Sequence, residues 1–330
     1  MKIIFFSAKE YDITFFEKVN QGYQHELIFN ESPLNEDTVD LVRETQCVCV
    51  FVNDKLTATV LEKLYKKNIR LIALRCAGFN NIDMHKATEL GITIVRVPAY
   101  SPESIAEHTI SLIMCLNRHI NHAYNRVKEN NFALNDLLGF ELKRSTVGIV
   151  GTGKIGTALA KILSGFGSNI IAFDLHPNDE CKSLGVTYTD FDSLCEQSDI
   201  ISLHCPLTTE THHLVNKAAL AKMKPSVMLI NTSRGAVIDT SAVIDALSSK
   251  KISYLGLDVY EQEENLFFEN RSEQPLTDET FEKLLSFPNV LITGHQAFFT
   301  KEALTNIAET TLNNVTRFEN NTECFHCCHI

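Results

Sequence analysis

Short runs of consecutive apolar residues recur along the chain, and between them lie longer stretches with helical spacing of apolar and polar positions. That alternation is the signature of βα units built on parallel sheets. The predicted strands are 2–6, 47–52, 71–74, 93–96, 146–150, 170–173, 200–203, 227–231 and 290–293, with a further short apolar stretch at 255–257. Most segments between them are long enough for a helix. No repeat of fixed period and no low-complexity linker interrupts the pattern, so the chain reads as α/β.

One helix start is especially legible. Ser101 can cap, Pro102 suits the first helical position, and Glu103 lies near the positive end of the helix dipole. Ile105, Thr109, Leu112, Ile113, Leu116 and Ile120 then recur on one face, widened by Ala106 and Ile110. The spacing predicts a core-facing helix running to Ile120. About 100 residues precede it, and it comes before the glycine-rich segment, so the nucleotide-binding unit is internal and another domain comes first.

Composition narrows the function classes. The 330 residues are enough for two domains, and 44% hydrophobic with 22% charged residues is ordinary for a globular protein. A formal charge of −11 disfavours nucleic-acid binding. The opening Met1–Phe6 is too short for a signal-peptide core, and no apolar stretch approaches the ~18–20 residues of a membrane span. A soluble, cytoplasmic protein is expected. Its ten cysteines are scattered, as free thiols in a reducing compartment would be.

The strongest local motif is Val147-Gly148-Ile149-Val150-Gly151-Thr152-Gly153-Lys154-Ile155-Gly156. A bare G-x-G-x-x-G is weak, but this one follows a strand run and opens a helical pattern, as dinucleotide binding demands. Gly151 permits the tight turn, Gly153 the approach of backbone to a pyrophosphate, and Gly156 close helix–strand packing. Asp174 ends the next strand, 18 residues after Gly156. A carboxylate there accepts hydrogen bonds from the adenosine ribose and repels a 2′-phosphate, which favours NAD over NADP.

Three polar segments follow strands in the second half: Asn231–Gly235, Asp258–Glu264 and Gly294–Gln296. Ligands of open α/β sheets gather beyond the carboxyl ends of strands. A cation, a proton donor and a histidine among these segments fit reduction of a carbonyl. Spacing alone does not choose among Glu261, Glu263 and Glu264.

Here the chain resembles the D-isomer-specific 2-hydroxyacid dehydrogenases. The resemblance rests on Asn231–Gly235, Gly256–Phe268 and Thr293–Thr300, and covers roughly residues 1–320, with the fermentative D-lactate dehydrogenases as the most similar group. It implies Arg234 as anchor for substrate carboxylate and carbonyl, His295 as acid–base, and Glu263 as its carboxylate partner, selected by the Asp-Val-Tyr-Glu-x-Glu register. A carboxylate beside the imidazole favours its charged form, so a proton is available for the developing alkoxide. The resemblance also implies backbone amides of Ala77 and Gly78 as carboxylate binders, Tyr100 near the substrate, and Phe299 as an apolar wall. Lys154, Ile155, Asp174, Cys205, Pro206, Thr232, Arg234 and Asp258 match cofactor-contacting positions.

The implied architecture is two Rossmann-like domains, one flavodoxin-like and one dinucleotide-binding, with parallel sheets and an interdomain cleft. Residues 1–99 and 299–330 would form the substrate domain around an NAD-binding domain of 100–298. The implied reaction is reversible reduction of pyruvate to D-lactate with NADH. The implied partners are a small 2-oxo or 2-hydroxy acid and a second copy of the chain, as homodimer or homotetramer through the helix after Ser101. Alternatives are a relative acting on 2-oxobutyrate, phenylpyruvate or hydroxypyruvate, and a non-enzymatic NADH sensor. Gln296-Ala297-Phe298-Phe299 and Leu266-Phe267-Phe268 resemble the lactate pattern, and a glutamate paired with His295 departs from formate dehydrogenases. No metal is expected. The tail Cys324, His326, Cys327, Cys328, His329 carries soft ligands but has no second ligand cluster.

Overall fold

The computed structural model describes residues 1–322, 327 and 328. It divides into two compact units, Met1–Ser101 with Phe298–Ile330, and Pro102–Ala297.

The first unit holds a five-stranded parallel sheet of β1 (Lys2–Phe5), β2 (Glu26–Phe29), β3 (Cys47–Val50), β4 (Leu71–Leu74) and β5 (Thr93–Val95), in the order β2-β1-β3-β4-β5. This is the flavodoxin-like order, with its switch point between β1 and β3. Every residue of the central strands β3 and β4 is buried, because helices cover both faces of such a sheet. Cys47 and Cys49 therefore lie among core residues on the same face of β3. The helix Lys301–Glu319 belongs to this unit: Asn306 Nδ2 donates to the Tyr100 carbonyl and Asn314 Nδ2 to that of Arg96. Edge strand β5 is covered in turn by an antiparallel bridge from Val95 to Cys327, and the Cys328 amide donates to the Ile94 carbonyl.

The second unit holds seven parallel strands: β6 (Thr146–Val150), β7 (Asn169–Phe173), β8 (Thr187–Tyr188), β9 (Ile200–Leu203), β10 (Val227–Asn231), β11 (Ile252–Leu257) and β12 (Val290–Ile292). Their order is β12-β11-β10-β9-β6-β7-β8. The chain runs outward from β6 in one direction and from β9 in the other, so the switch point lies between these two. β9 and β10 are buried throughout, with Ser202 and Asn231 the polar residues among their apolar ones.

Two strands have no counterpart in the sequence pattern. β2 and β8 are both sheet edges, half exposed, with only a short or mixed apolar run. The helix after Ser101 also differs from expectation. It spans Pro102–Asn117 and buries Ile105, Ala106, Thr109, Leu112, Ile113 and Leu116, but Ile120 is 55% exposed. The Asn117 side chain accepts from the Phe140 amide and donates to its carbonyl, His119 adopts a left-handed φ of 50°, and a new helix starts at Ile120. The turn takes Ile120 off the buried face.

No helix among the described residues is long and apolar enough to cross a membrane. The nine described cysteines are free thiols. Of the tail residues with metal-binding chemistry, Cys324, His326 and His329 lie outside the described residues.

Candidate active site

The glycine-rich turn sits at the switch point of the second sheet. Gly151 has φ +95°, and a Cβ there would approach the His204 carbonyl and the Cys205 nitrogen to 2.8 Å. A Cβ on Gly156 would collide with the Gly151 carbonyl oxygen, whereas Gly153 faces open space. Two glycines thus let backbone pass backbone, and the third leaves room over the start of the helix Lys154–Phe166. Lys154 and Ile155 open that helix, where unpaired amides and the helix dipole favour an anion. A dinucleotide pyrophosphate fits this cradle.

Asp174 follows β7, and its carboxylate accepts from the Thr152 amide at 2.6 Å and the His176 amide at 2.8 Å. It therefore braces the glycine turn as well as standing where a ribose would be met. Cys205 is buried after β9, which pushes its thiol up to about 11, and it is no reactive thiolate. Pro206 next to it is exposed. Burial pushes the neighbouring His204 down to about 4, and its Nε2 meets Ser202 Oγ at 2.8 Å. Thr232 is buried, sharing a hydrogen bond of 3.0 Å with Thr109.

Arg234, Asp258 and His295 follow the adjacent strands β10, β11 and β12, so their segments meet at one edge of the sheet. His295 Nδ1 lies 2.8 Å from Glu263 Oε1. The other Glu263 oxygen accepts from the Tyr260 amide at 2.9 Å. With its charge fixed there, Glu263 keeps the proton on Nδ1 and leaves Nε2 as the working nitrogen. His295 itself has φ +52°, a left-handed conformation that costs about 1–2 kcal/mol for a non-glycine residue. It is held by its amide donating to the Asp258 carbonyl at 2.8 Å, and its ring lies 5.7 Å from that of Phe268.

The neighbouring acids face elsewhere. Glu261 meets His213 Nε2 at 2.6 Å and the Thr240 hydroxyl at 2.7 Å. Burial opposes its charge, yet these bonds together hold its carboxyl below the usual range. Glu264 is exposed.

Asp258 is buried, and its carboxylate accepts from Thr293 Oγ1 and from the Gln296 and Ala297 amides, with His108 Nε2 at 3.4 Å. Burial disfavours its charged form, but these donors prevail and hold its carboxyl below the ordinary range. Its side chain thus organises the loop that carries His295. His108, Thr293 and Tyr260 are the supporting residues that sequence reasoning missed; only contact between segments identifies them.

Arg234 is half buried. Its Nη1 donates to the Ser233 carbonyl at 2.7 Å, and among the described residues it forms no ion pair. Asn231 Nδ2 donates to the Arg234 carbonyl at 2.9 Å, and Gly235 packs so tightly on the Tyr260 carbonyl that a Cβ there would collide with it. The guanidinium charge is left for a ligand.

The family model for the NAD-binding domain of D-isomer specific 2-hydroxyacid dehydrogenases matches residues 110–297. The chain belongs to that family. A 2-hydroxyacid dehydrogenase homolog of Haemophilus influenzae is 52% identical over 324 residues, 98% of each chain. The D-lactate dehydrogenase of Escherichia coli is 49% identical over 324 residues, again 98% of each. The apo structure of the Escherichia coli D-lactate dehydrogenase superposes with a TM-score of 0.92, covering 100% of both chains at 47% identity. This 2-hydroxyacid dehydrogenase is an NAD-dependent oxidoreductase of two Rossmann-like domains.

In the first unit, Ala77 and Gly78 follow β4 in a half-buried loop. Tyr100 packs its ring 6.1 Å from Phe298, and Phe299 meets Tyr11 edge-on at 4.9 Å. Phe299 remains 51% exposed. Among the described residues no three His, Cys, Asp or Glu side chains form a metal-binding group.

Proposed function

We propose that this dehydrogenase interconverts pyruvate and D-lactate. The observation that carries the reading is the Glu263–His295 pair beside an uncompensated Arg234 at neighbouring strand ends. The Escherichia coli relative of nearly equal length bears the name of that activity.

Bound NADH supplies the hydride that C2 of the oxo acid accepts. Gly151, Gly153 and Gly156, with the Lys154 and Ile155 amides, hold its pyrophosphate, and Asp174 takes the ribose. Cys205, Pro206, Thr232 and Asp258 border it, Asp258 through the loop it organises. Arg234 draws the substrate carboxylate and carbonyl oxygen into register with its planar fork. The amides of Ala77 and Gly78 bind the carboxylate, and Tyr100 and Phe299 bound the side chain. Protonated His295 gives its Nε2 proton to the forming alkoxide, and Glu263 stabilises the imidazolium until then. In oxidation the neutral ring takes that proton back.

The test is steady-state NADH oxidation with pyruvate, 2-oxobutyrate, phenylpyruvate, hydroxypyruvate and glyoxylate, with chiral analysis of the product. Pyruvate should give the highest kcat/KM, D-lactate should be the product, and NADPH should be at least roughly tenfold poorer, since a carboxylate repels a 2′-phosphate. Preference for hydroxypyruvate or phenylpyruvate would reassign the substrate. NADH binding without turnover of any oxo acid would leave the non-enzymatic sensor.

We also propose that the enzyme works as a dimer or larger homo-oligomer in the cytoplasm. The helix Ile120–Lys128 buries no residue and presents Ile120, Tyr124 and Val127 at 53–60% exposure on one face, with Phe132, Leu134 and Leu138 beyond it. Apolar patches of that kind mark protein interfaces. Free thiols agree with a reducing compartment. Sedimentation velocity should show a dimer or larger species, and Tyr124→Glu with Val127→Glu should yield a monomer. A monomeric wild-type protein at micromolar concentration would rule the proposal out.

A further inference from the structure

The loop after β4 carries three successive carbonyls, and each is engaged by a donor of the first unit. The Cys76 carbonyl accepts from the Val97 amide at 3.1 Å, the Ala77 carbonyl from Arg96 Nη1 at 2.8 Å, and the Gly78 carbonyl from Cys76 Sγ at 3.3 Å. There are no cis peptides, so each following N–H points opposite to its carbonyl. The amides of Ala77, Gly78 and Phe79 therefore face away from these donors. Among the described residues the Ala77 and Gly78 amides donate to no protein acceptor. Successive amides presented in this way form an anion-binding concavity.

Arg96 differs from the other two donors because it carries a charge. It forms no ion pair among the described residues, and its guanidinium lies over the Phe79 ring at 5.0 Å. Its own carbonyl is tied to Asn314 Nδ2 on the helix Lys301–Glu319. The side chain is thus fixed at both ends, by a helix behind it and by an aromatic face in front.

We propose that Arg96 is a positioning residue for substrate carboxylate binding, acting through the Ala77–Gly78 peptide. It sets the peptide plane so that the Gly78 N–H faces the anion. By drawing electron density toward the Ala77 oxygen it also makes that N–H a stronger donor, since linked hydrogen bonds polarise one another. The inference rests on the reading that these amides hold the carboxylate of a 2-oxo acid. It adds a cation that never touches substrate, yet contributes to its affinity.

The test compares wild type, Arg96→Lys and Arg96→Met by steady-state kinetics, with oxamate as an unreactive isostere of pyruvate. Methionine keeps the apolar stem but loses the charge and the bond. A hydrogen bond to a charged group is worth about tenfold to a hundredfold in binding, so Arg96→Met should raise KM for pyruvate and Ki for oxamate by about that factor. Its kcat should stay within about threefold and NADH affinity should be unchanged. Lysine keeps a point charge without the stacked plane, and its KM and Ki should rise about threefold to tenfold.

A folded Arg96→Met enzyme with KM and Ki within about twofold of wild type would overturn the proposal, as would a loss confined to kcat. If Arg96→Met does not fold, Arg96→Lys decides alone, and unchanged KM and Ki then count against it. Wild type that turns over no 2-oxo acid would instead overturn the underlying reading, and the inference with it.

Discussion

His295→Gln is expected to lower kcat for pyruvate reduction by about 10³-fold, with NADH affinity within about twofold of wild type. The size follows from what the imidazole does. Positioned acid–base groups typically contribute about 10²–10⁴ in rate, and a thousandfold loss corresponds to about 4 kcal/mol of barrier. A loss well inside that range is expected, because the ring of His295 is held from several directions. Glu263 fixes Nδ1 at 2.8 Å, the Asp258 carbonyl holds its amide, and Phe268 lies beside the ring. Its left-handed backbone persists only because the surrounding loop enforces it. Glutamine can occupy the volume and hydrogen-bond, but it cannot release a proton. Stopped-flow and steady-state rates with NADH and pyruvate, beside fluorescence titration of NADH, check this. A loss below tenfold would mean that another group delivers the proton.

Arg234→Ala is expected to lower kcat/KM for pyruvate by about 10³-fold to 10⁴-fold, and Arg234→Lys should recover only a small part of it. Two charge-assisted hydrogen bonds, each worth about 1.5–3 kcal/mol, account for a loss of that order. The guanidinium is half buried without a carboxylate partner among the described residues, so in the free enzyme its charge is uncompensated. A carboxylate substrate supplies the missing partner. Lysine presents a point charge on a mobile stem and loses the fork that engages two oxygens together. Oxamate inhibition separates binding from chemistry, since its Ki should rise in parallel with KM. Less than tenfold loss in Arg234→Ala would remove Arg234 from the site.

These two residues stand differently in the sequence. Arg234 and His295 are the only basic residues of the polar segments Asn231–Gly235 and Gly294–Gln296, which the strand-end rule for parallel sheets places at the ligand edge, and the family resemblance gives them their roles. Glu263 is not distinguishable from Glu261 by that rule, because both lie within one acidic stretch. In the structure Glu261 turns to His213 and Thr240, and Glu263 turns to His295. Asp258 matched a cofactor-contacting position, but its side chain is directed into the loop 293–297. Arg96 read only as the last residue of a strand, and its bond to Ala77 spans 19 residues of chain.

The central strands and the glycine turn were legible because each is governed by a local constraint. A strand buried on both faces must be largely apolar, as β3 and β4 are throughout and β9 and β10 are apart from Ser202 and Asn231. A turn at φ +95° packed against backbone must be glycine, as at Gly151. Edge strands β2 and β8 lack the first constraint, since one side of each meets no neighbouring strand. Nor does periodicity bring the C-terminal helix back to the first sheet, where it packs against β4. The partners of His295, the commitments of Asp258 and the hold of Arg96 on the Ala77 carbonyl depend on which strand ends lie side by side. That adjacency arises from packing whole βα units together, and hydrogen-bond partners drawn from different units leave no periodic trace in either one.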